Sequence, residues 1–396
     1  MKHNWEYKKL GEVCETQNGL WTGKKPPFVS IPVISLKNFT KDCKLKKSDF
    51  SIIDVEVRQL EKRKLQYGDI LIEKSGGSDT QPVGRPIFFD IKEGTYSFSN
   101  FTAALRTDTS LLSPEFLYFV LYAYYFQGKT LYLQSKTTGI HNLDFKGFMD
   151  LPIPVPPLPT QQRIVAELDC ISGILEKKRQ QLKELDNLAQ AIFYDMFGDP
   201  VENEMGWEVK KLGEVARELK YGTSRPACEN GKYKYLRMGN LTMNGYLDLT
   251  DMKTIDIPDV EVEKCVVKKG DVLFNRTNSL ELIGKTCMFD LDEPMIIAGY
   301  IIRIRFSDMI NPKFFTIMFN LPKYKKLLKT MAKGAVNQVN INSKELSGID
   351  IPVPPLSLQQ QFAKKIEAIE RQKALINQSI KEVQTLFDCR MEEYFN

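Results

Sequence analysis

The sequence contains little histidine, no metal-binding cysteine pair and no long apolar run among its 396 residues. Its two histidines, His3 and His141, stand in no ligand pattern, which argues against a histidine-based catalytic triad and a zinc site. Seven cysteines without Cys-x-x-Cys spacing indicate reduced thiols in a cytoplasm rather than disulfides. No segment approaches the ~20 apolar residues of a membrane span, and the N-terminus lacks a signal-peptide core. These absences predict a cytoplasmic chain without a membrane partner.

The sequence also lacks a large excess of charge of either sign. Lys and Arg number 55 against 50 Asp and Glu, so the formal net charge is only +5. Such a balance permits a nucleic-acid partner without requiring one. Hydrophobic residues make up 42% of the chain, which at this length is enough for two or three domains with cores of their own.

Sequence motifs of catalysis are missing as well. No predicted strand is followed by Gly-x-Gly-x-x-Gly, and no Walker lysine motif is present. Amino-methyltransferases need an Asn/Asp-Pro-Pro-aromatic loop to hold the flipped base, whereas residues 155–158 and 353–356 both read Val-Pro-Pro-Leu. Pro258-Asp259 could begin a nuclease site, but no acidic-x-Lys follows through the next strands. The sequence therefore predicts a chain that is not an enzyme by itself and binds no metal.

What the sequence does contain is one arrangement written twice. Residues 153–158 and 351–356 both read Ile-Pro-Val-Pro-Pro-Leu, 198 residues apart, and we call this proline-rich stretch the strap. Residues 5–13 and 207–215 share Trp-Glu-x-Lys-Lys-Leu-Gly-Glu-Val at an offset of 202 residues. The repeat therefore covers the whole chain and indicates two versions of one domain.

A long helix is predicted after each strap. Apolar positions alternate at spacings of four and three over residues 164–196 and again over 362–394, which is the rhythm of a coiled-coil seam. Lys178 is a polar break in the first series, and Lys373 and Arg390 are polar breaks in the second. Such breaks lower stability but can fix the register. We expect the two helices to pair antiparallel with each other; two unrelated helices packed on separate domains are the alternative.

The predicted fold class is α+β, with two pseudo-symmetric mixed α/β domains separated by a pair of long antiparallel coiled-coil helices. The predicted boundaries are residues 1–159 for the first domain, 160–199 for the central helix, 200–357 for the second domain and 358–396 for the C-terminal helix. Gly68-Asp69 and Gly270-Asp271 predict tight turns into buried strands at matching places. Pro114 and Pro312 each predict the start of a helix.

Polar segments between these matched frame segments differ between the two domains. Residues 74–81 contrast with 276–281, residues 136–142 contrast with 333–340, and all four are predicted to be loops. Their Arg, Lys, Asn, Gln, Ser and Thr side chains are the kinds that read base edges and bind phosphates, although solvated loops often share this composition. Like frames with unlike polar segments suggest one task performed on two different targets.

Candidate nucleic-acid contacts come from these segments and from two further polar stretches. They are Lys24, Lys25, Lys74, Ser75, Ser78, Thr80, Gln81, Lys136, Thr137, Thr138, His141, Asn142, Tyr221, Ser224, Arg225, Arg276, Thr277, Asn278, Ser279, Lys333, Asn337, Gln338 and Asn340. Residues 276–279 and 334–340 are favoured because they adjoin matched frame segments. His141 is expected to form hydrogen bonds in its loop rather than to act as a catalyst.

The sequence resembles the specificity subunits of type I restriction–modification systems over essentially its full length. The resemblance is carried by the double strap, the Lys-Lys-Leu-Gly-Glu-Val that opens both halves, the Gly-Asp turns and the long helix after each domain. Gln161-Gln162 and Gln359-Gln360 stand where family members usually have Glu-Gln. The resemblance implies two target-recognition domains, each reading one half of a bipartite asymmetric site in double-stranded DNA.

The resemblance also implies partners. The helices would bind two methyltransferase subunits and, in a full complex, restriction subunits. This chain would bind no cofactor, because S-adenosylmethionine belongs to the methyltransferase partner, and ATP and Mg²⁺ to a restriction partner if one is present. A helix over residues 160–197 would be ~57 Å long, which suits half-sites about 34 Å apart on one face of a duplex. Two alternatives remain: a fused nuclease–methyltransferase as the partner, and a coiled-coil adaptor that binds only proteins.

Overall fold

The computed structural model describes residues 5–21, 25–137, 140–335 and 338–396. The chain divides into two compact units. Unit 1 is Met1–Lys178 with Ser379–Asn396, and unit 2 is Arg179–Gln378. Each unit holds one copy of the repeated domain together with one part of each long helix.

The elements of the first half alternate short strands with a few helices. The strands are β1 Glu6–Lys9, β2 Cys14–Asn18, β3 Phe28–Ile34, β4 Ser51–Glu56, β5 Ile70–Glu73, β6 Ser75–Gly77, β7 Pro86–Phe88, β8 Ser97–Phe98, β9 Thr102–Thr107, β10 Gln134–Thr137, β11 Ile140–Leu143 and β12 Pro152–Val155. The helices are α1 Leu10–Val13, α2 Val57–Arg63, α3 Pro114–Phe126, α4 Phe145–Met149 and the long α5 Leu158–Phe197.

The second half repeats this order with small differences. Its strands are β13 Val209–Lys211, β14 Ala216–Tyr221, β15 Tyr233–Leu236, β16 Lys253–Ile255, β17 Val266–Val267, β18 Val272–Asn275, β19 Thr277–Asn278, β20 Thr286–Met288, β21 Met295–Ile297, β22 Ile301–Phe306, β23 Lys333–Ala335, β24 Gln338–Asn340 and β25 Asp350–Pro352. Its helices are α6 Leu212–Val215, α7 Asp259–Cys265, α8 Pro312–Asn320, α9 Pro322–Met331, α10 Ser343–Ser347 and the long α11 Leu356–Phe395.

Equivalent sheets form the frame of each unit. Unit 1 has an antiparallel sheet of order β2-β9-β5-β7 and a second sheet of order β4-β3-β8, in which β3 and β8 are parallel. Unit 2 has the corresponding orders β14-β22-β18-β20 and β16-β15-β21-β17, with β15 and β21 parallel. Gly68 and Gly270, both at φ +92°, precede the buried strands β5 and β18. The predicted turns into buried strands are confirmed.

Each strap begins in a strand that pairs with the opening strand of its own half. In unit 1, β12 is antiparallel to β1, and in unit 2, β25 is antiparallel to β13. The helices α3 and α8 begin at the predicted prolines, and the preceding Ser113 and Asn311 cap them by accepting hydrogen bonds from backbone N–H groups. Both halves therefore have the same antiparallel strand pair and the same capped helix at equivalent positions.

Both long helices contribute to the core of each unit. In unit 1, apolar side chains of residues 164–175 of α5 share a core cluster with residues 387–395 of α11. In unit 2, side chains of residues 185–197 of α5 pack with residues 362–369 of α11. Because the start of one helix meets the end of the other, the helices pair antiparallel, as predicted.

Two of the polar breaks in the seam form ion pairs between the helices. In unit 1 the Nε atom of Arg390 lies 2.8 Å from Oε1 of Glu167. In unit 2 the Nζ atom of Lys373 lies 2.5 Å from Oδ1 of Asp186 and stacks over the ring of Tyr246 at 4.6 Å. A shifted register would separate these partners, so the breaks favour a single alignment of the helices.

The prediction that the four polar segments are loops is wrong. Residues 74–81 contain β6, residues 276–281 contain β19, and the other two segments form the hairpins β10–β11 and β23–β24. Their strands are short and polar, so they lack the apolar alternation that marks a strand in sequence. Pro258-Asp259 belongs to a helix start, because Pro258 is the N-cap of α7. Among the described residues, no helix is long and apolar enough to cross a membrane.

Candidate nucleic-acid interface

Each unit gathers its polar segments into one small antiparallel sheet. Polar sheet 1 has the strand order β10-β11-β6, and polar sheet 2 has the order β19-β24-β23. The four segments that differ between the halves therefore come together in pairs. Each pair forms one surface on its own frame.

The same backbone hydrogen bonds attach each polar sheet to its frame. The N–H of Leu143 donates to the carbonyl of Lys74 at 2.8 Å, and the N–H of Ile341 donates to the carbonyl of Arg276 at 2.9 Å. Lys74 directly follows β5, and Arg276 directly follows β18. A cationic residue therefore stands at the same position in both units, directly after an equivalent buried strand.

In unit 1, Lys74 is partly buried. Its Nζ donates to Oδ1 of Asn18 at 2.8 Å and lies 5.8 Å from the ring centre of Phe145. Burial lowers the pKa of Lys74. The ammonium group is therefore held in place at the edge of polar sheet 1.

Buried and exposed candidates alternate along polar sheet 1. His141 is buried in β11, with Nδ1 3.2 Å from Oε1 of Gln134 and Nε2 3.4 Å from Oδ1 of Asp79. This agrees with the expected hydrogen-bonding role, although the residue lies in a strand. Ser78 and Gln81 close a turn by paired backbone hydrogen bonds, and this turn presents the exposed Thr80. Ser75 pairs with Asn142 across β6 and β11.

In unit 2, Arg276 stacks on an aromatic ring. Its guanidinium carbon lies 4.8 Å from the ring centre of Tyr221. The hydroxyl of Tyr221 donates to Oγ of Ser343 at 2.9 Å and accepts from the N–H of Ser343 at 2.7 Å. Arg276 and Tyr221 line a cavity of about 720 Å³ together with Ser224. A fixed ring therefore orients the arginine toward open space.

Arg225 is paired in the free chain. It makes a bidentate ion pair with Glu261, with Nε at 3.1 Å from Oε2 and Nη2 at 2.6 Å from Oε1. This carboxylate raises the pKa of Arg225. Arg225 and the neighbouring Ser224 are exposed. A phosphate would therefore have to compete with Glu261 for the guanidinium group.

The remaining side chains of polar sheet 2 divide between internal and exposed roles. The hydroxyl of the buried Thr277 donates to Oδ1 of Asn340 at 3.0 Å, which ties β19 to β24. Oδ1 of Asn278 accepts from the N–H of Ser279 at 2.9 Å. Gln338, in contrast, is exposed where β24 begins. Thr277 is therefore placed to hold the sheet together.

Several predicted contacts lie at the margins of the described structure. Lys333 is exposed and its Nζ lies 2.7 Å from Oε1 of Glu345. Lys25 is exposed, and its N–H donates to Oε1 of Glu56 at 2.7 Å. Lys136 and Thr137 belong to β10. Lys24, Thr138 and Asn337 lie outside the described residues.

A protein-family model described as the Type I restriction modification DNA specificity domain matches the chain twice. The matches cover residues 2–186 and 204–385. The chain belongs to this family. The two matches coincide with the two halves of the repeat, so each half is one specificity domain.

Curated relatives of this specificity subunit are themselves specificity subunits. The chain is 23% identical over 330 residues to the type I restriction enzyme EcoKI specificity subunit of Escherichia coli strain K12, covering 78% of this chain and 69% of that protein. It is 28% identical over 257 residues to the MjaVIII specificity subunit of Methanocaldococcus jannaschii, covering 60% of this chain and 59% of that protein. The matched region thus spans 69% of the first relative and 59% of the second.

Solved structures share the fold of this specificity subunit. A chain from a type I restriction–modification system, solved to explain complex assembly and conformational transition, matches with a TM-score of 0.56 and 19% identity, covering 99% of this chain and 97% of that chain. The S subunit from M. genitalium matches with a TM-score of 0.55 and 14% identity over 100% and 97%. The predicted fold class is confirmed.

Membership in this family assigns the chain a recognition role. Specificity subunits bind DNA and assemble with other restriction–modification subunits, and they are not the catalytic members of the complex. Among the described residues, no group of three or more His, Cys, Asp or Glu side chains could hold a metal ion.

Sequence reasoning missed one cationic helix face beside polar sheet 2. Lys326 and Lys329 of α9 are exposed, and α9 ends two residues before β23 begins at Lys333. Their spacing of three places both lysines on one face of the helix. The signal was present in the segment Pro322–Met331, where four lysines alternate with the buried Tyr324 and Leu328.

Proposed function

We propose that unit 1 and unit 2 of this specificity subunit each read one half of a bipartite, asymmetric site in double-stranded DNA. The observation that carries this proposal is that equivalent frames hold polar sheets of different sequence. Equivalent frames would bind the duplex in the same orientation, because contacts to the DNA phosphate backbone set the orientation of a protein on DNA. Unlike side chains would then select unlike bases.

In unit 2, Arg276 is the base reader that the geometry supports best. Its guanidinium carbon lies 4.8 Å from the ring centre of Tyr221, and both residues line the cavity of about 720 Å³. Arginine is suited to bidentate contact with O6 and N7 of guanine. Gln338 and Asn278 would supply further base contacts from the same sheet. In unit 1 the exposed turn around Thr80 would have this role.

Lysines near each polar sheet would contact phosphates. Lys74 directly precedes β6 in unit 1, Lys333 begins β23 in unit 2, and the exposed Lys326 and Lys329 lie on α9, which ends two residues before β23. Phosphate contacts release counterions and contribute affinity without sequence preference. Unit 2, with its basic helix α9, would therefore contribute the larger share of salt-dependent affinity.

The long helices would set the spacer and bind the catalytic partners. Both α5 and α11 are 40 residues long. We propose that they bind two methyltransferase subunits, which would carry S-adenosylmethionine, and that restriction subunits with ATP and Mg²⁺ join this complex. A fused nuclease–methyltransferase chain is the alternative partner. In either case, the specificity subunit would contribute base recognition and spacing.

Arg276→Ala tests this proposal directly. We expect the variant to accept additional bases in one half-site while the other half-site is unchanged, because a bidentate arginine contributes ~1–3 kcal/mol of discrimination. The measurement is base-resolution sequencing of methylated sites in cells that hold the variant and its methyltransferase partner.

Arg217→Ala is the matched control. Arg217 is an exposed arginine of β14, paired with Asp308, at the opposite end of the strand that carries Tyr221. It should leave both half-sites unchanged. Uniform loss of methylation with Arg276→Ala would contradict a base-reading role. Failure of the assembled complex to shift any duplex in a gel would favour the adaptor that binds only proteins.

A further inference from the structure

Both units place an exposed aromatic ring at the same point beside the polar sheet. Phe101 in unit 1 is 53% exposed, and Tyr300 in unit 2 is 50% exposed. Each residue immediately precedes a buried frame strand, since β9 begins at Thr102 and β22 at Ile301. The frame, rather than the variable segments, therefore sets the position of these rings.

The backbone around the two rings is equivalent. The N–H of Lys74 donates to the carbonyl of Phe101 at 2.9 Å, and the N–H of Arg276 donates to the carbonyl of Tyr300 at 3.0 Å. These are the same two cations whose carbonyls bind the hairpins of the polar sheets. In each unit, backbone hydrogen bonds therefore connect the aromatic residue to the cationic residue, and the cationic residue to a strand of the polar sheet.

The turns that carry the rings are tightly held. The N–H of Thr102 donates to the carbonyl of Ser99 at 3.1 Å, and the N–H of Ile301 donates to the carbonyl of Ala298 at 2.9 Å. Gly19, which follows β2, and Gly222, which follows β14, lie in close contact with these turn regions. A Cβ added to Gly19 or Gly222 would overlap a backbone carbonyl oxygen of the turn region. The rings are therefore presented from a rigid support.

Two exposed aromatic rings at equivalent positions indicate a shared use. A single exposed aromatic residue is ordinary. Here the rings are retained at one position of the frame while the polar sheets beside them differ. The adjacent Lys74 and Arg276 favour an anionic partner. DNA meets both requirements, because the thymine methyl group and a partly unstacked base step are apolar surfaces close to phosphates.

We propose that Phe101 and Tyr300 make apolar contacts with bases at corresponding positions of the two half-sites, while the polar sheets supply the hydrogen bonds. This inference rests on the proposed function and adds to it a contact common to both halves. The rings would register each domain on the duplex, and the unlike side chains beside them would decide the bases.

The test uses Phe101→Ala and Tyr300→Ala in the chain assembled with its methyltransferase partner. Binding to a duplex that carries the methylated motif of the unaltered complex is measured at several salt concentrations. We expect each variant to bind about tenfold more weakly, equivalent to about 1.4 kcal/mol. The slope of affinity against salt should not change, because an apolar contact releases no counterions. Phe101→Tyr and Tyr300→Phe should retain binding.

The chain offers matched controls at another equivalent position. Tyr7 and Val209 occupy the same place in β1 and β13 and are 54% and 47% exposed. Tyr7→Ala and Val209→Ala should bind as the unaltered chain does. Replacing thymine by uracil in each half-site distinguishes two kinds of contact. If a ring contacts a thymine methyl group, the alanine variant and the unaltered chain should bind the uracil duplex equally. If the ring contacts an unstacked base step, the alanine variant should still bind more weakly.

Two results would overturn the inference. Alanine variants that bind like the controls would exclude base contact by the rings, and a reduced salt slope would indicate a phosphate-side role instead. Lys74→Ala and Arg276→Ala separate this failure from a failure of the proposed function. If these cation variants lose affinity while the ring variants do not, only the ring contact is wrong. If neither pair loses affinity, the proposed DNA surface is wrong.

Discussion

At the scale of single residues, two buried glutamines hold the junctions between domain and helix. In unit 1, Gln161 is fully buried, and its Oε1 accepts from the N–H of Ser113 at 2.8 Å. Its Nε2 donates to the carbonyls of Leu111 and Pro156 at 2.9 and 2.7 Å. One side chain thus joins the strap, the start of α5 and the residue that caps α3.

Gln359 forms the same three hydrogen bonds in unit 2. Its Oε1 accepts from the N–H of Asn311 at 2.8 Å, and its Nε2 donates to the carbonyls of Met309 and Pro354 at 3.0 and 2.7 Å. The equivalent bonds in both halves explain why a glutamine stands here in each. In each half, the buried glutamine side chain satisfies one backbone donor and two backbone acceptors.

Alanine at either glutamine should destabilise the chain by about 1–3 kcal/mol, because it leaves the buried carbonyl of Pro156 or Pro354 without this partner. The midpoint of thermal or urea unfolding measures this loss. Gln162→Ala and Gln360→Ala are matched controls, because both neighbours are exposed on the same helix turns. Gln161→Glu should also destabilise at pH 7, since an ionised carboxylate cannot donate to the two carbonyls. Equal stabilities of the Gln161→Ala and Gln162→Ala chains would contradict this role.

At the scale of elements, the frame was predictable because its signals are local. The straps, the Gly-Asp turns, the helix-starting prolines and the seam of the long helices each depend on residues near one another in sequence. Each also occurs twice, so one half supports the interpretation of the other. The antiparallel pairing followed from the two seams, and contacts in both units confirm it.

The polar sheets could not be predicted from local signals. β6 and β19 are only three and two residues long, and they pair with strands more than 60 residues away. Their polar residues lack the apolar alternation of a half-buried strand. Phe101 and Tyr300 align at an offset of 199 residues. Surface aromatics carry no distinguishing pattern without the fold.

The helices also support a prediction about spacing. Seven residues inserted into both helices, after Lys178 in α5 and after Gln378 in α11, preserve the repeat of 3.5 residues and therefore the seam. Each helix lengthens by about 10 Å, or about three base pairs at ~3.4 Å each. We expect the methylated motif to gain about three spacer positions with both half-sites unchanged.

Insertion into α5 alone serves as the control for this experiment. An insertion in α5 alone separates Asp186 from Glu167, while Lys373 and Arg390 keep their spacing on α11. The ion pairs Lys373–Asp186 and Arg390–Glu167 should then no longer form together, which should impair the pairing of the two helices. A motif with an unchanged spacer after the double insertion would show that the helices do not set the distance between half-sites.

At the scale of the whole molecule, one chain supplies two specificity domains with corresponding frame sheets and with polar sheets of different sequence. A dimer of identical subunits reads a palindrome because both of its surfaces are the same. This chain has equivalent frames but unlike polar sheets, so an asymmetric site is the expected target. On the proposed function, the duplication would let each domain select its own half-site independently.

Replacing one domain by a copy of the other tests this account most directly. In such a chain, residues 207–350 are exchanged for a copy of residues 5–152, which keeps the pairing of the opening strand with the strap at both joints. Methylated sites are then sequenced in cells that hold this chain and its methyltransferase partner. We expect an inverted repeat of the first half-site at the original spacing. A motif that still contains the second half-site would contradict it.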